Sequence, residues 1–294
     1  MIRLISACLL ASVSAAWGES AVQRLLEDKM FSRIQAYDRS LRGALGVATI
    51  DLASGRVFVY NGDAVFPTAS SIKIPILVEM FRWVKRGEFK LTDTVTLQPS
   101  DAVGGSGELQ KALASGPQRL TVLELITAMI EHSDNSATNR CISMAKMDRV
   151  NRYLTELGFH TIRLRRIMMD SAAAARGDEN TASPVEMARF VEMLYRNQLA
   201  DRSDTEQMIG ILKRVKAGMR AAIPETIPVA AKPGDLPGVE CETGIVYLTG
   251  RPFVLSVFST FLDEGVHPVP EITKMVFDYF SKLAASNDYG NRVR

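Results

Sequence analysis

Strand-type segments occur near both ends of this chain, and helix-type segments fill the part between them. Two apolar, β-branched runs come first and are separated by residues 53–55 (ASG), which predicts a hairpin. The five predicted strands cover residues 43–52, 56–61, 229–232, 244–248 and 252–261. Because early and late strands must share a sheet to bury their apolar faces, we predict an α/β (α+β) fold. An antiparallel five-stranded sheet is flanked by helices and carries an inserted all-helical lobe.

Helix signals dominate the middle of the chain. Residues 70–85 repeat apolar side chains as a largely buried helix does, with Pro75 in the first turn, where a missing N–H is least harmful. Three further helix starts carry a Ser or Thr followed three positions later by Glu, the capping-box pattern. These starts are Thr121, Ser183 and Ser203. A last amphipathic pattern predicts a helix at about 270–285.

The first 18 residues have the layout of a secretory signal peptide, in which Arg3 precedes a short apolar stretch and small residues. The apolar stretch is too short to span a bilayer, so we expect a mature chain in the periplasm or secreted, without stable membrane insertion. Residues 19–294 are predicted to form one domain. Its sheet lobe would combine about 19–65 with 222–294, and its helical lobe would cover about 66–221.

Charge and cysteine usage exclude several kinds of partner and site. The formal charge of +2 falls to about +1 when Arg3 leaves with the signal, which argues against nucleic acid or an anionic membrane as partner. The basic cluster at 163–166 is therefore interpreted as a solvated face. Cys141 and Cys241 are interpreted as separate buried thiols, although an exported compartment would permit a disulfide. The three histidines do not have the spacing of metal ligands, so we expect no metal, and we expect no cofactor. Separately, we expect the protein to be a monomer.

Three short motifs carry the chemistry of the chain. They are residues 70–73 (SSIK), 133–135 (SDN) and 232–234 (KPG), in that order. About one S-x-x-K match is expected by chance in a chain of this length, so the order of the three motifs carries the weight. Ser70 and Lys73 stand three apart on one helical face, so the amine can reach the hydroxyl. Ser71 is only two positions from Lys73 and faces elsewhere.

The motif set resembles that of penicillin-binding proteins and class A β-lactamases, over about Gly43 to Leu283. The resemblance implies the fold of the class A β-lactamase / D,D-peptidase type. It also implies an acyl-transfer site in which Ser70 is the nucleophile and Lys73 is its base or proton shuttle. Ser133 would pass a proton to the departing amine nitrogen.

The same resemblance implies the residues that hold the substrate. Asn135 would bind an amide side group, and Lys232 would attract the carboxylate common to penicillins and peptidyl-D-alanine ends. Gly234 would let the substrate backbone approach closely, and the backbone amides of Ser70 and Asp235 would form the oxyanion hole.

Two departures from the family pattern affect the expected activity. Pro233 replaces the usual threonine of the third motif, which removes a hydroxyl and a backbone donor. Met168 stands where class A β-lactamases carry the glutamate that activates the deacylating water, and a thioether cannot accept a proton. Asp170 is the first candidate for a substitute base, and Glu179 is a more distant one. We therefore expect slow deacylation.

Three functions remain open on the sequence alone. The leading one is an exported serine hydrolase that opens β-lactam amide bonds through a Ser70 acyl-enzyme. A D,D-carboxypeptidase or transpeptidase acting on peptidoglycan peptides is the enzyme alternative; Met168 favours it, whereas chain length and single-module layout favour the lactamase. The third is a receptor that binds β-lactam covalently without turnover, although such a sensor usually needs a membrane helix.

Overall fold

The computed structural model describes residues 20–216 and 218–293. Its strands, in chain order, are β1 (Ala44–Asp51), β2 (Val57–Tyr60), β3 (Phe66–Pro67), β4 (Thr94–Leu97), β5 (Gln118–Thr121), β6 (Thr181–Ala182), β7 (Val229–Leu236), β8 (Val239–Val246) and β9 (Phe253–Thr260). Its α-helices are α1 (Ala21–Ser40), α2 (Lys73–Lys85), α3 (Leu109–Ala114), α4 (Val122–Glu131), α5 (Asn135–Ala145), α6 (Met147–Glu156), α7 (Ser171–Ala175), α8 (Pro184–Tyr195), α9 (Arg202–Leu212) and α10 (Pro268–Ala284).

The main sheet is five-stranded and antiparallel, with the order β2-β1-β9-β8-β7. It joins both ends of the chain, because β1 pairs with β9 along its full length, from Ala44↔Thr260 to Asp51↔Phe253. The predicted fold class and the predicted hairpin of β1 and β2 are confirmed. The helices from α2 to α9 lie between β2 and β7 in the chain, as the inserted lobe requires.

Two strands are longer than the sequence predicted. β7 continues through Pro233 to Leu236, because it is an edge strand and a residue without an N–H can stand at an edge. β8 begins at Val239 rather than at residue 244, because Glu240 and Glu242 obscure the apolar pattern of its first half. These two extensions determine the geometry of the site described below.

The sheet is buried on both faces by two apolar clusters. One cluster packs the sheet against the helical part of the chain and includes Ile72, Leu77 and Phe258. The other packs the opposite face against α1 and α10, and includes Met30, Phe253 and Phe280. Phe253 and Phe280 stack with their ring centroids 4.3 Å apart. The sheet is thus held rigidly between two layers of helices.

The helix starts confirm two of the three capping signals. Thr121 and Glu124 form the capping box of α4, and Ser183 caps α8. The prediction that Ser203 starts a helix is wrong, because the carboxylate of Asp201 accepts the N–H of Asp204 and caps α9. Ser203 lies inside that helix.

The helix α1 was not predicted. It buries only Met30 and Ile34 well, so its apolar stripe is too sparse to stand out from a polar segment. A capping box formed by Ser20 and Gln23 marks its start. This was the one local signal that could have revealed it.

The remaining sequence predictions concern the signal peptide, the lobe boundaries, membrane-spanning helices and the two cysteines. The predicted signal peptide, residues 1–18, lies outside the described residues, and the lobe boundaries stay a prediction. Within residues 20–216 and 218–293, no helix is long and apolar enough to cross a membrane. Cys141 and Cys241 are both buried and free, as interpreted from the sequence.

Candidate active site

Ser70 and Lys73 meet at the start of α2. Ala69 has a φ of +43°, and residues Ala69–Ile72 form a single 3₁₀ turn that leads into the helix. The Nζ of Lys73 lies 3.0 Å from the Oγ of Ser70, as the three-residue spacing predicted. A strained backbone residue directly before a nucleophile candidate is typical of functional sites, where the surrounding structure holds the strain.

Lys73 is fully buried, and the hydrogen-bond partners of its amine in the described part of the chain are all neutral. Nζ lies 2.7 Å from the carbonyl and 3.0 Å from the hydroxyl of Ser133, and 3.1 Å from Oδ1 of Asn135. Burial, followed by the positive charge of Lys232, holds the pKa of Lys73 well below its usual value. A neutral amine retains a lone pair, so this lysine is suited to accept the proton of Ser70.

The second motif occupies the turn between α4 and α5. Ser133 has a φ of +52°, which directs its hydroxyl between two lysines, 3.0 Å from Nζ of Lys73 and 3.2 Å from Nζ of Lys232. Asp134 caps α5 and also accepts the N–H of Leu109 at 2.8 Å, so it braces the turn. A hydroxyl between two amines provides a path for a proton.

The third motif lies on the edge strand β7, beside Ser70. A Cβ on Gly234 would come within 2.6 Å of the backbone N of Ser70 and 2.7 Å of the carbonyl oxygen of Thr68. No residue with a side chain fits at this contact. The hydroxyl of Ser71 donates to the carbonyl of Lys232 at 2.9 Å, which joins the strand to the turn that carries Ser70.

These residues border one cleft of about 940 Å³. Its lining includes four predicted substrate-binding or nucleophile positions, which are Ser70, Asn135, Gly234 and Asp235. Lys73 and Lys232 are buried directly behind them. The three motifs, far apart in sequence, are therefore brought together around one concave site.

The opposite wall of the cleft is apolar where the family pattern has a carboxylate. Met168 is 7% exposed and lines the cleft, and its backbone N–H donates to Oδ1 of Asn139 at 2.7 Å. Met169 follows with a φ of +62° and a half-exposed side chain. The sulfur of Met169 approaches Gly105 across the cleft.

The two substitute carboxylates both have structural partners. Asp170 lines the cleft, but its Oδ1 accepts the N–H of Ala173 at 2.9 Å and caps α7. Glu179 forms an ion pair with Arg166 at 2.8 Å. Each carboxylate uses one oxygen in these contacts, Oδ1 of Asp170 and Oε2 of Glu179, and of the two residues only Asp170 lines the cleft.

The interpretation of 163–166 as a solvated basic face is wrong for Arg166, which is only 8% exposed. Its ion pair with Glu179 closes the base of the loop that carries Met168 and Asp170. Asn180 reinforces this closure, since its Oδ1 accepts the N–H groups of Arg165 and Arg166. Counting charges along the sequence could not show which of the arginines turns inward.

Glu242 is a buried residue of the site that the sequence did not reveal. It lines the cleft from β8, is 1% exposed, and accepts the N–H of Met219 at 2.8 Å. Burial raises its pKa to about 7. Its position opposite Pro233 follows from the register of β7 and β8, so only a correctly extended β8 would have identified it.

In the described part of the chain, no group of three or more His, Cys, Asp or Glu side chains could hold a metal ion.

Comparison with known proteins gives concordant results in sequence and structure. Residues 29–280 match the model of the beta-lactamase enzyme family. Beta-lactamase CTX-M-97 of Escherichia coli is 26% identical over 220 residues, which cover 73% of this chain and 75% of that protein.

Two solved structures show the same fold. A β-lactamase from Sphaerobacter thermophilus superposes with a TM-score of 0.79 at 28% identity, covering 87% of this chain and 97% of that one. PBP-A superposes with a TM-score of 0.78 at 25% identity, covering 86% of this chain and 96% of that one.

Proposed function

Because the chain belongs to the beta-lactamase enzyme family and has the fold of class A β-lactamases, we propose that it is an exported serine hydrolase that opens β-lactam amide bonds. The observation that supports this most strongly is the buried amine of Lys73, 3.0 Å from the hydroxyl of Ser70. It supplies a general base beside a nucleophile at the mouth of a cleft.

Acylation follows from the contacts of these side chains. Ser70 attacks the β-lactam carbonyl while its proton passes to the neutral amine of Lys73. The oxyanion that forms is stabilised by the backbone N–H groups of Ser70 and Asp235, which are fixed before the reaction. The C–N bond of the ring then breaks, and the ring nitrogen takes a proton from Ser133, which recovers one from Lys73. Lys73 ends neutral, and the product is an ester on Ser70.

Substrate binding uses the remaining motif residues. Lys232 is the cation that attracts the substrate carboxylate, and Gly234 admits the substrate beside the edge strand. Asn135 offers its side-chain amide to the substrate and also bonds Lys73 and the carbonyl of Gly104, so its orientation is fixed. Pro233 has no hydroxyl that could bind the substrate carboxylate, so Lys232 must provide a larger part of that binding.

Deacylation is the slow step in this proposal. A water must be deprotonated near the ester, and Met168 offers no base. Asp170 is the candidate base, acting through the oxygen that does not cap α7. The hydrogen bond from Ala173 to Asp170 restricts the rotation of the Asp170 side chain toward Ser70. We therefore expect the acyl-enzyme to be hydrolysed more slowly than it is formed.

The apolar wall gives specific support to a second candidate, a D,D-carboxypeptidase or transpeptidase acting on peptidyl-D-alanine ends. Such an enzyme needs the same acylation groups and has no need of a glutamate at position 168. The structural similarity to PBP-A is compatible with this candidate.

Steady-state assays with both substrate classes test the proposal. We expect ring opening of a penicillin or cephalosporin with the wild-type chain and none with Ser70→Ala. Release of D-alanine from a peptidyl-D-alanyl-D-alanine, with stoichiometric but not catalytic penicillin opening, would replace the lactamase by the peptidase. Stoichiometric acylation without turnover of either substrate would indicate the receptor. The N-terminus of protein recovered outside the cytoplasm tests export.

A further inference from the structure

Within the described residues, the charge on Lys232 has no direct anionic partner. Its side chain is 1% exposed, and its Nζ bonds the Ser133 hydroxyl at 3.2 Å and the Pro233 carbonyl at 2.8 Å. Both acceptors are neutral. A buried ammonium without a compensating charge loses its proton readily, because burial penalises the charged form. If Lys232 became neutral, it would no longer attract a substrate carboxylate.

Glu242 is the buried carboxylate closest in the sheet to this lysine. It stands opposite Pro233 in the pairing of β7 with β8, one residue from Lys232. The two side chains leave opposite faces of the sheet and make no direct ion pair. Both are almost fully buried, and charges in such poorly hydrated surroundings interact over several ångströms more strongly than at a surface.

The fold builds a specific position for this carboxylate. Oε2 of Glu242 accepts the backbone N–H of Met219 at 2.8 Å. A Cβ on Gly218 would lie 1.9 Å from the same oxygen, and Gly218 has a φ of +32°, so a side chain at this position would strain the backbone and displace the carboxylate. The backbone at Gly218 and Met219 thus lies directly against the ionisable end of Glu242.

Other charged groups near Glu242 are engaged elsewhere or exposed. Glu240 contacts His267 at 3.1 Å, and the guanidinium of Arg220 donates to backbone carbonyls. Asp235 on β7 is exposed. The neighbours on β9 and α10 are the apolar Val257 and Val269. Asp134, the buried carboxylate beside Ser133, already accepts the N–H groups of Leu109 and Ala137. Glu242 is therefore the buried carboxylate of this part of the sheet that is placed to balance Lys232.

We propose that Glu242 is a positioning residue that keeps the Lys232 side chain cationic, so that the site holds the substrate carboxylate up to mildly alkaline pH. This inference rests on the proposed function, since Lys232 is the carboxylate-binding residue there. Glu242 acts across the edge strand and does not touch the substrate.

The titration behaviour of the two groups agrees with this role. Burial lowers the pKa of Lys232 to about 8, and the negative charge of Glu242 opposes that fall. Burial raises the pKa of Glu242 to about 7, and the charge of Lys232 opposes that rise. Between these values both groups are mainly charged, and the two titrations are coupled. Removing the charge of Glu242 should let Lys232 deprotonate at lower pH.

The first test follows the titration of Lys232 itself and needs no substrate. Lysine ¹³Cε and ¹⁵Nζ resonances are recorded against pH for the wild type, Glu242→Gln and Glu240→Gln, with Lys232→Arg identifying the signal. We expect the midpoint of Lys232 to fall by about one pH unit in Glu242→Gln, at the lower end of what a neighbouring opposite charge contributes. It should stay near the wild-type value in Glu240→Gln. An unchanged midpoint in Glu242→Gln would overturn the proposal.

The second test is the pH profile of acylation by an anionic β-lactam. The apparent affinity of the wild type should weaken above about pH 8, the pKa of Lys232. In Glu242→Gln this loss should begin about one pH unit lower, with the limiting acylation rate unchanged. In Lys232→Arg, which stays protonated, the loss should be absent, and adding Glu242→Gln should not restore it. A merely structural role would change the affinity at every pH.

Two further arms keep the outcomes distinct. If Glu242→Gln is unfolded by circular dichroism, Glu242→Met, which fills the same space without charge, takes its place in both tests. If no β-lactam acylates the wild type, the proposed function fails while the resonance test still decides this inference. Acylation with unshifted resonances would sustain the function and reject the role of Glu242.

Discussion

Several ionisable side chains of this site lie where water is largely excluded. Lys73, Lys232 and Glu242 are each at most 1% exposed. Burial lowers the pKa of both lysines and raises that of Glu242, so it favours the neutral form of each group. Ala69 and Ser133 add backbone strain through positive φ values. Such costs persist only where the rest of the fold supports them, and here they all converge on the cleft that holds Ser70.

Replacing Met168 by Glu should accelerate deacylation. A Glu side chain at this position would have nearly the same length as Met168, would lie at the wall of the cleft, and could deprotonate a water. A positioned general base typically contributes about 10²–10⁴-fold in rate, so we expect at least about a 10²-fold faster decay of the acyl-enzyme. Single-turnover decay of a penicilloyl-enzyme measures it. Met168→Gln is the matched control, because it is polar without being a base. Equal acceleration by Glu and Gln would show that hydration of the wall, rather than proton transfer, limits the step.

Asp170→Asn tests the candidate base without removing the helix cap. Asn caps helices about as well as Asp, so α7 should keep its start and the protein its stability. If Asp170 deprotonates the water, acyl-enzyme decay should slow by about 10²-fold, with acylation unchanged. Rapid-quench kinetics separate the two steps. Decay at the wild-type rate would remove Asp170 from the mechanism.

Contacts between elements determine whether these side chains meet. The turn Ala69–Ile72 is held against β7 by the bond from Ser71 to the Lys232 carbonyl and by the close approach of Gly234 to Ser70. β7 is the edge strand, and its hydrogen bonds to β8 fix one of its two edges. Only the other, free edge of β7 could move away from this turn. The distance between Ser70 and β7 is therefore fixed by these contacts.

Gly234→Ala should slow acylation while leaving the chain folded. Its Cβ would overlap the backbone at 2.6 Å from the Ser70 nitrogen, so β7 must shift outward. A displacement of about 1 Å at a catalytic site can cost about 10²-fold in rate, and we expect a loss of that size in the acylation rate constant.

Gly210→Ala is the control for this glycine. Gly210 lies within α9, and a Cβ there would meet nothing within 4 Å. That variant should gain about 0.5–1 kcal/mol in the free energy of unfolding and acylate normally. Wild-type acylation in Gly234→Ala would show that the strand is not the constraint described here.

The sequence could predict those parts of the site that rest on local spacing. Ser70 and Lys73 meet because three residues make nearly one helical turn. The N-cap residues Thr121 and Ser183 predicted the starts of α4 and α8 for the same local reason. Glu242 could not be found, because its role depends on pairing between strands. Arg166 was misinterpreted because only the folded loop brings Glu179 to it. α1 was missed because tertiary packing, more than its own pattern, stabilises it.

The molecule as a whole places a helical part against a sheet made from both chain ends, and the cleft lies at the edge of that sheet. The buried pair at this edge should make stability depend on pH. Glu242 has a folded pKa of about 7 against an ordinary value of 4.5, so the folded state binds the extra proton between these values. Its contribution is complete below pH 4.5 and is lost as pH rises through about 7.

Urea unfolding across pH 4.5–7 measures this contribution. We expect the wild type to lose up to about 3 kcal/mol of unfolding free energy relative to Glu242→Gln, which cannot titrate. Glu240→Gln should keep most of the wild-type slope, because the charge of Glu240 makes a smaller contribution than burial to the raised pKa of Glu242. Lys232 acts in the opposite direction at higher pH, since its folded pKa of about 8 lies below 10.5 and stability should recover as pH rises between them. Parallel curves for wild type and Glu242→Gln would mean that Glu242 titrates normally in the fold.

Intact-protein mass spectrometry of the mature chain mixed with a penicillin, followed over time, tests whether Ser70 is the acylated nucleophile of a slow β-lactamase. The acylation chemistry described above predicts an adduct with the full mass of the drug, because ring opening releases no leaving group. It should form early and disappear slowly while hydrolysed penicillin accumulates, and it should be absent from Ser70→Ala. No adduct together with no hydrolysis in the wild type, or the same adduct on Ser70→Ala, would contradict that assignment.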